Sequence, residues 1–259
     1  GMSSMTQDLV QKGLYVTISD LLELHAIDNA ILGATEELGA SGGMSIDKMV
    51  RNEVVGGTVK QLCDKVNAAT GEHTEVTVRS GMDTTCVLTP TEVNKAVTTL
   101  KKAHAPTING KYVGIIHPSV AFDLRQSKEW VEAHKYAAVT ELFNGEIGEL
   151  HGVRFIESTN QKIWNDNTCP VKTAASDGKQ AVYYSVYATI IMGKDAFAMI
   201  DPDGGTMEMI VKTKGEAGGP LEQFSTVGYK YEGAAKRLYE ERMVRIESTS
   251  AYSATDPAN

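Results

Sequence analysis

The run from Tyr15 to Asp28, YVTISDLLELHAID, constrains the fold more than any other stretch of the chain. Tyr15, Thr17 and Ser19 alternate with Val16, Ile18 and Asp20, a period of two rich in β-branched residues, which predicts a strand. The period then changes. Ile27, Ile31, Ala34 and Leu38 fall at helical spacing, and Ile46, Met49, Val50 and Val54 continue it, with Asp28 as the N-cap or first-turn acid. Gly33, Gly39, Gly42 and Gly43 each cost a helix roughly 1 kcal/mol against alanine. The pattern therefore reads either as two helices broken near Gly42 or as one long helix held by tertiary packing and ending near Gly56 and Gly57; the long helix is the favoured reading. A strand at this position has no hairpin partner before it. Its partners must be late strands, which makes one domain discontinuous.

The rest of the chain mixes helices and strands. LTPTEVNKAVTTLKKAHAP is the clearest helix. Thr89 can cap it, Pro90 takes its first position, Glu92 completes a capping box, and Val93, Ala96, Val97 and Leu100 form the buried face. Before it, TEVTVRS reads as β-like. GKYVGIIHPSVAFDLR predicts a strand from Lys111 to Ile116 and then a helix entered through Pro118. SKEWVEAHKYAA predicts a further helix capped by Ser127. HGVRFIES and AVYYSVYATIIMG are strands, the second long, aromatic and β-branched. AFAMIDPDGGTMEMIVKT reads as two strands joined by a turn at Asp201 to Gly205, and FSTVGYKYEG and RMVRIES as the closing strands. From Ser250 the chain is polar and expected to fray. No internal repeat occurs, and no alternation of a doubly wound sheet. The fold class is α+β.

Composition removes several functions. The formal net charge is −8, and Lys and Arg gather on no stretch, so nucleic-acid binding is not expected. No run approaches the ~18 apolar residues of a membrane helix, and no signal region opens the chain. Gly1 ahead of Met2 reads as the scar of a cleaved tag. Cys63, Cys86 and Cys169 form no CxxC and fit free, structural thiols in a reducing compartment. Of the histidines (His25, His73, His104, His117, His134 and His151), none falls in HExxH or a His–Cys cluster. DPDGG lacks the later ligands of a calcium loop, with Thr206 at its sixth position and Lys212 at its twelfth. GASGG and GEAGG match neither GxGxxG nor a P-loop, and GxSxG is absent. His117, directly after an apolar strand, is where an enzyme would place a catalytic group, but the plainer reading is a helix-capping imidazole. We therefore assign no catalytic, cofactor-binding or metal residue, expect no cofactor, and expect a non-enzymatic role.

Four segments in order carry a resemblance: YVTISDLLELHAID before the long helix, GKYVGIIHPSVAFDLR, FNGEIGELHGVRFIEST, and PLEQFSTVGYKYEGAAKRLYEERMVRIEST. Together they resemble the major capsid proteins of tailed bacteriophages, in the branch of podoviruses of the N-four type, from about Tyr15 to Tyr252. Gly145 to Thr159 is the most specific piece. The resemblance implies the Hong Kong phage-type capsid fold, with a long spine helix, a peripheral β-sheet and an inserted axial domain. On that basis residues 15–84 and 200–252 form the peripheral domain, with its spine at about 28–55, and 85–199 form the axial domain. Residues 1–14 are the residual end of the family's extended loop, and 253–259 a frayed tail. The family's N-terminal arm and most of its loop are then missing, as in a trimmed chain or a remnant from a degraded prophage. Some relatives lock their shells by a lysine–asparagine isopeptide bond; no cross-linking residue is carried over.

The expected function is that of a phage or prophage major capsid protein. It would self-assemble as a homo-oligomer, pentamer and hexamer, into the icosahedral shell of a virion, made in the host bacterial cytoplasm. Scaffolding, portal or decoration proteins would be its partners, without specific nucleic-acid binding and without a membrane. The alternatives are a nanocompartment (encapsulin-like) shell protein and a cytosolic enzyme with a site near His117.

Overall fold

The computed structural model describes residues 5–25, 29–67, 70–127, 148–174, 180–200, 202, 207–217 and 221–259. The helix expected after Ser127, His134, the Asp28 cap and all of the Asp201–Gly205 turn but Pro202 lie outside them. The chain opens with β1 (Val10–Ser19), α1 (Asp20–His25) and α2 (Ala30–Val55). Next come β2 (Lys60–Leu62), β3 (Lys65–Val66), β4 (His73–Thr74), α3 (Pro90–Lys102), β5 (Tyr112–Ile116) and α4 (Pro118–Gln126). Short strands follow: β6 (Glu149–Leu150), β7 (Val153–Glu157), β8 (Ile163–Trp164), β9 (Val171–Thr173) and β10 (Val182–Tyr183). The chain closes with β11 (Val186–Met192), β12 (Phe197–Ile200), β13 (Glu208–Lys212), β14 (Phe224–Arg237) and β15 (Met243–Ser248).

Two compact units result. The first comprises residues 1–50 and 198–236, the second 51–197 and 237–259, so the division falls within α2, β12 and β14.

In the first unit β14 is the spine of a four-stranded sheet. β1 pairs antiparallel with it from Val10↔Gly233 to Ser19↔Phe224, which is the late partner that the opening strand requires. β13 pairs with the same stretch of β14, from Glu208↔Lys230 to Lys212↔Thr226, so β1 and β13 occupy opposite edges. α2 is one continuous helix of 26 residues, not two broken near Gly42. Gly42 allows close packing: a Cβ there would stand 3.0 Å from the Met207 Sδ and 3.5 Å from the Tyr229 ring. Asn29 caps α2, its Oδ1 accepting from the backbone N–H of Ile31 (3.1 Å) and Leu32 (3.2 Å). One turn was not foreseen. Ser19 Oγ accepts from Leu22 N at 3.3 Å and starts α1 directly off the strand. The core here is small: Ile18, Leu38, Val227 and Tyr229, with Ile31, Ala34 and Met209 against it.

The second unit is built on a mixed seven-stranded sheet of order β2-β15-β11-β5-β7-β6, with β8 also on β11. Its core takes Val93, Ala96, Val97 and Leu100 from α3, Val120, Ala121 and Leu124 from α4, and apolar residues of β5, β7, β11 and β15. All seven residues of β11 are buried, as in a strand covered on both faces. α3 matches its sequence signals except in the box. Thr89 Oγ1 accepts from Glu92 N at 3.4 Å, but the Glu92 carboxylate turns instead to Gln61 Nε2 (2.6 Å) and Lys95 Nζ (2.8 Å).

Residues 51–84 cluster with the second unit, where β2 runs parallel to β15 and Cys63, Val76 and Met82 enter the core. Two expectations are corrected here. TEVTVRS supplies only Thr74 to the two-residue β4 and then enters a 3-10 turn at Arg79–Gly81, where the Arg79 guanidinium binds Glu247. The tail from Ser250 is tied down instead of frayed. Ser250 Oγ donates to Ser119 O (3.0 Å), and Asp123 Oδ2 accepts from Ala251 N (3.1 Å). Asn165 Nδ2 donates to Asp256 O (2.9 Å), and Asn259 Nδ2 to Gln161 O (2.7 Å). Polar groups that composition reads as solvated thus find fixed partners. Among the described residues no helix is long and apolar enough to cross a membrane.

Candidate functional site

His117 follows β5 directly and caps α4, its Nδ1 accepting from Ser119 N at 3.2 Å. Its ring lies 5.0 Å from that of Tyr187, whose hydroxyl donates to Asp256 Oδ2 at 2.7 Å. Ser253 Oγ donates to the other oxygen of Asp256. Burial pushes the imidazole of His117 below its ordinary value, against a smaller opposing pull from Asp256. Burial, with the Asp256 carboxylate behind it, pushes the Tyr187 phenol well up. Burial would raise Asp256, but hydrogen bonds from Ser253 and Tyr187 more than offset it and hold the carboxyl below its usual range. A neutral imidazole accepting a backbone N–H, beside a phenol that keeps its proton, fastens a helix start to the chain's tail. The Ser253 hydroxyl of this group is hydrogen-bonded to Asp256, and the Nδ1 of His117 is taken by the Ser119 N–H.

The cysteines are equally inert. Cys63, Cys86 and Cys169 are all buried and free. Burial raises each thiol, that of Cys86 to about 11, so none presents a thiolate.

A cavity of about 670 Å³ opens between β2 and α3, lined by Gln61, Asp64, Glu75, Glu92 and Lys95 among others. Beside it, Asp64, His73 and Glu92 each bring one metal-capable atom within 4.8 Å of the others. A cation already serves these carboxylates: Lys95 Nζ stands 2.5 Å from Asp64 Oδ2 and 2.8 Å from Glu92 Oε1. Burial would lower the Lys95 ammonium, but its hydrogen bonds to Asp64 and Glu92 raise it overall. Lys95 thus forms ion pairs within the cluster that neutralise the buried Glu92.

The densest polar cluster was missed by sequence reasoning. Glu247, 1% exposed, binds Arg79 in a fork, Nε to Oε2 at 2.7 Å and Nη2 to Oε1 at 2.9 Å. Arg245 Nε reaches the same Oε1 at 3.0 Å, and the Arg79 guanidinium lies 3.9 Å over the Trp164 ring. RIES places Arg245 and Glu247 two apart on one strand face, a signal that was available. Arg79 lies too far along the chain to be paired by sequence.

The chain leaves much apolar surface in solvent, including Tyr15, Leu21, Leu24 and Leu221. A family model described as phage capsid protein matches residues 25–220. The chain belongs to the phage capsid protein family. This capsid protein is a shell subunit, and its family is one of structural proteins. No curated protein sequence matches it. Solved capsids share its fold. The capsid protein of Ralstonia phage GP4 superposes with a TM-score of 0.64 at 14% identity, covering 100% of this chain and 82% of the other. That of Helicobacter pylori bacteriophage KHP30 gives 0.61 at 10% identity, covering 93% and 76%. The SrpI encapsulin of Synechococcus elongatus PCC 7942 gives 0.55 at 10%, covering 97% and 78%. The α+β architecture expected from sequence is thus the Hong Kong phage-type capsid fold. At these identities the likenesses speak to fold alone.

Proposed function

We propose that this capsid protein builds the icosahedral head of a phage or prophage of the podovirus N-four-type branch, associating as pentamers and hexamers. The observation that carries the reading is the family match, which covers residues 25–220 and so takes in residues of both units. In this reading the first unit serves as the peripheral domain with α2 as its spine, and the second as the axial domain. The protein works by assembly, through many modest interfaces and without a catalytic step. Its place is the virion, after synthesis in the host cytoplasm, with portal, scaffolding or decoration proteins as partners.

Light scattering behind a sizing column, over a range of protein concentrations, tests this. Pentamers, hexamers or closed particles, visible by electron microscopy, are the expected result. A tight dimer unchanged by concentration would count against a shell and return attention to His117. Particles that carry an enzyme cargo from the native host would favour the encapsulin-like alternative.

A further inference from the structure

The sheet of the first unit has one covered face and one open face. Side chains directly paired across strands share a face. Val16, Ile18, Val227 and Tyr229 therefore lie together on the face that carries the small core, while Gly13, Tyr15, Thr226, Gly228, Ile210 and Lys212 lie on the other. That open face holds a groove of about 370 Å³. Two glycines floor it. A Cβ on Gly228 would stand 2.9 Å from the Tyr15 Cβ, and one on Gly13 would stand 2.7 Å from Tyr229 O, so neither position tolerates a side chain. Tyr15, 73% exposed, and Ile210 form the apolar wall, and Lys212 adds a cation at the rim.

The same unit carries a fitting protrusion. α1 has no buried residue, and Leu21, Leu22 and Leu24 are 65%, 53% and 77% exposed. Leu21 and Leu24, three apart, share one side of the helix. The leucines are interleaved with acids. Glu23 is held by Lys214 at 2.8 Å, and Asp20 stands at the helix start. An acidic, leucine-bearing helix and an apolar groove with a basic rim complement each other in shape and charge.

We propose that the groove at Gly13 and Gly228 receives Leu21 and Leu24 of α1 from a second copy of this chain, with Asp20 of the incoming helix facing Lys212. Protrusion and groove are different surfaces, so the contact is heterologous. It passes from copy to copy and makes a ring where the rotation between copies closes, whereas a self-matching surface would stop at a pair. This deepens the shell reading and rests on it.

Two proteins that each carry one introduced cysteine, Leu24→Cys and Ile210→Cys, are mixed under conditions of assembly and mildly oxidised. The native cysteines are buried and stay out of the reaction. The expected product is a mixed disulfide between the two proteins, in excess over either self-linked dimer. Lys212→Asp and Asp20→Lys should each weaken association by up to roughly five-fold, the size of an exposed ion pair, and the two together in one chain should restore it. Rings or particles that form without the mixed disulfide overturn this contact and leave the shell reading standing. A protein that stays monomeric at every concentration overturns both.

Discussion

β1 and β11 are both apolar strands in antiparallel ladders, yet they meet opposite fates. Of the ten residues of β1 only Ile18 is buried, whereas every residue of β11 is. β11 lies inside a sheet flanked by β15 and β5, under α3 and α4 side chains. β1 is the edge strand of its sheet, with no neighbour on its outer side among the described residues. Exposed apolar edges invite pairing and are ordinarily blunted by charge, proline or a bulge. β1 has a single lysine, Lys12, and an unbroken register. The second unit completes its own core, while the first leaves apolar surface exposed, the surface on which the proposed contact between copies would form. That is the arrangement a shell subunit needs.

The comparison is broken most severely by unmaking the second unit's self-sufficiency. Glu247→Ala would strand Arg79 and Arg245 beside each other without their carboxylate. Removing one partner of a buried ion group costs about 3–5 kcal/mol. Urea unfolding followed at Trp164, which stacks on Arg79, should show a loss of that order. A loss under about 1 kcal/mol would mean that apolar packing alone carries this unit.

Acid should act next, and unevenly. Asp83, Asp166, Glu240 and Asp256 all belong to the second unit and are all held below their ordinary values. For Asp166 the leading cause is the hydrogen bond from Thr168; for the others, hydrogen bonds outweigh the upward push of burial. A depressed carboxyl binds fewer protons folded than unfolded. Its contribution is present above the unfolded value, 3.8 for Asp and 4.5 for Glu, and is lost as pH falls through the folded value. Asp123, raised by burial, runs the other way: its contribution is present below the unfolded value and lost as pH rises through the folded one. Hydrogen exchange at about pH 3 should find protection lost in β15 and the tail before β14. Loss in β14 first would reverse the contrast between the units.

What the sequence shows and hides follows the range of the interactions. The strand-to-helix change at residues 15–55, the cap at Thr89 and the strand around Ile190 depend on neighbours within a few positions, and were legible. α2 was legible in length but not in its cap, because Asn29 and Asp28 are equivalent by composition. The tail was misread because its partners, Ser119, Asp123, Gln161, Asn165 and Tyr187, are 66 to 131 residues away. Glu247 hid for the same reason. The plain reading of His117 as a helix cap needed only Pro118 and the strand before it, and the structure places its Nδ1 in that role. Nothing in sequence marked the groove, since Gly13 and Gly228 meet only through the β1–β14 register.

The smallest effect on stability sharpens the comparison most. Tyr15→Ser removes a large side chain from the open face of the first unit, where it is 73% exposed and forms the wall of the groove. If that face is reserved for a neighbour, the free chain loses little, within about 0.5 kcal/mol in urea unfolding, as for exposed sites generally. Association should suffer instead, because burying an aromatic side chain at an interface core contributes far more than leaving it in water. Concentration-dependent light scattering on the same protein reads that second quantity. A stability loss above about 1 kcal/mol with association unchanged would place Tyr15 in the monomer's own packing, and β1 would then differ from β11 in degree and no longer in kind.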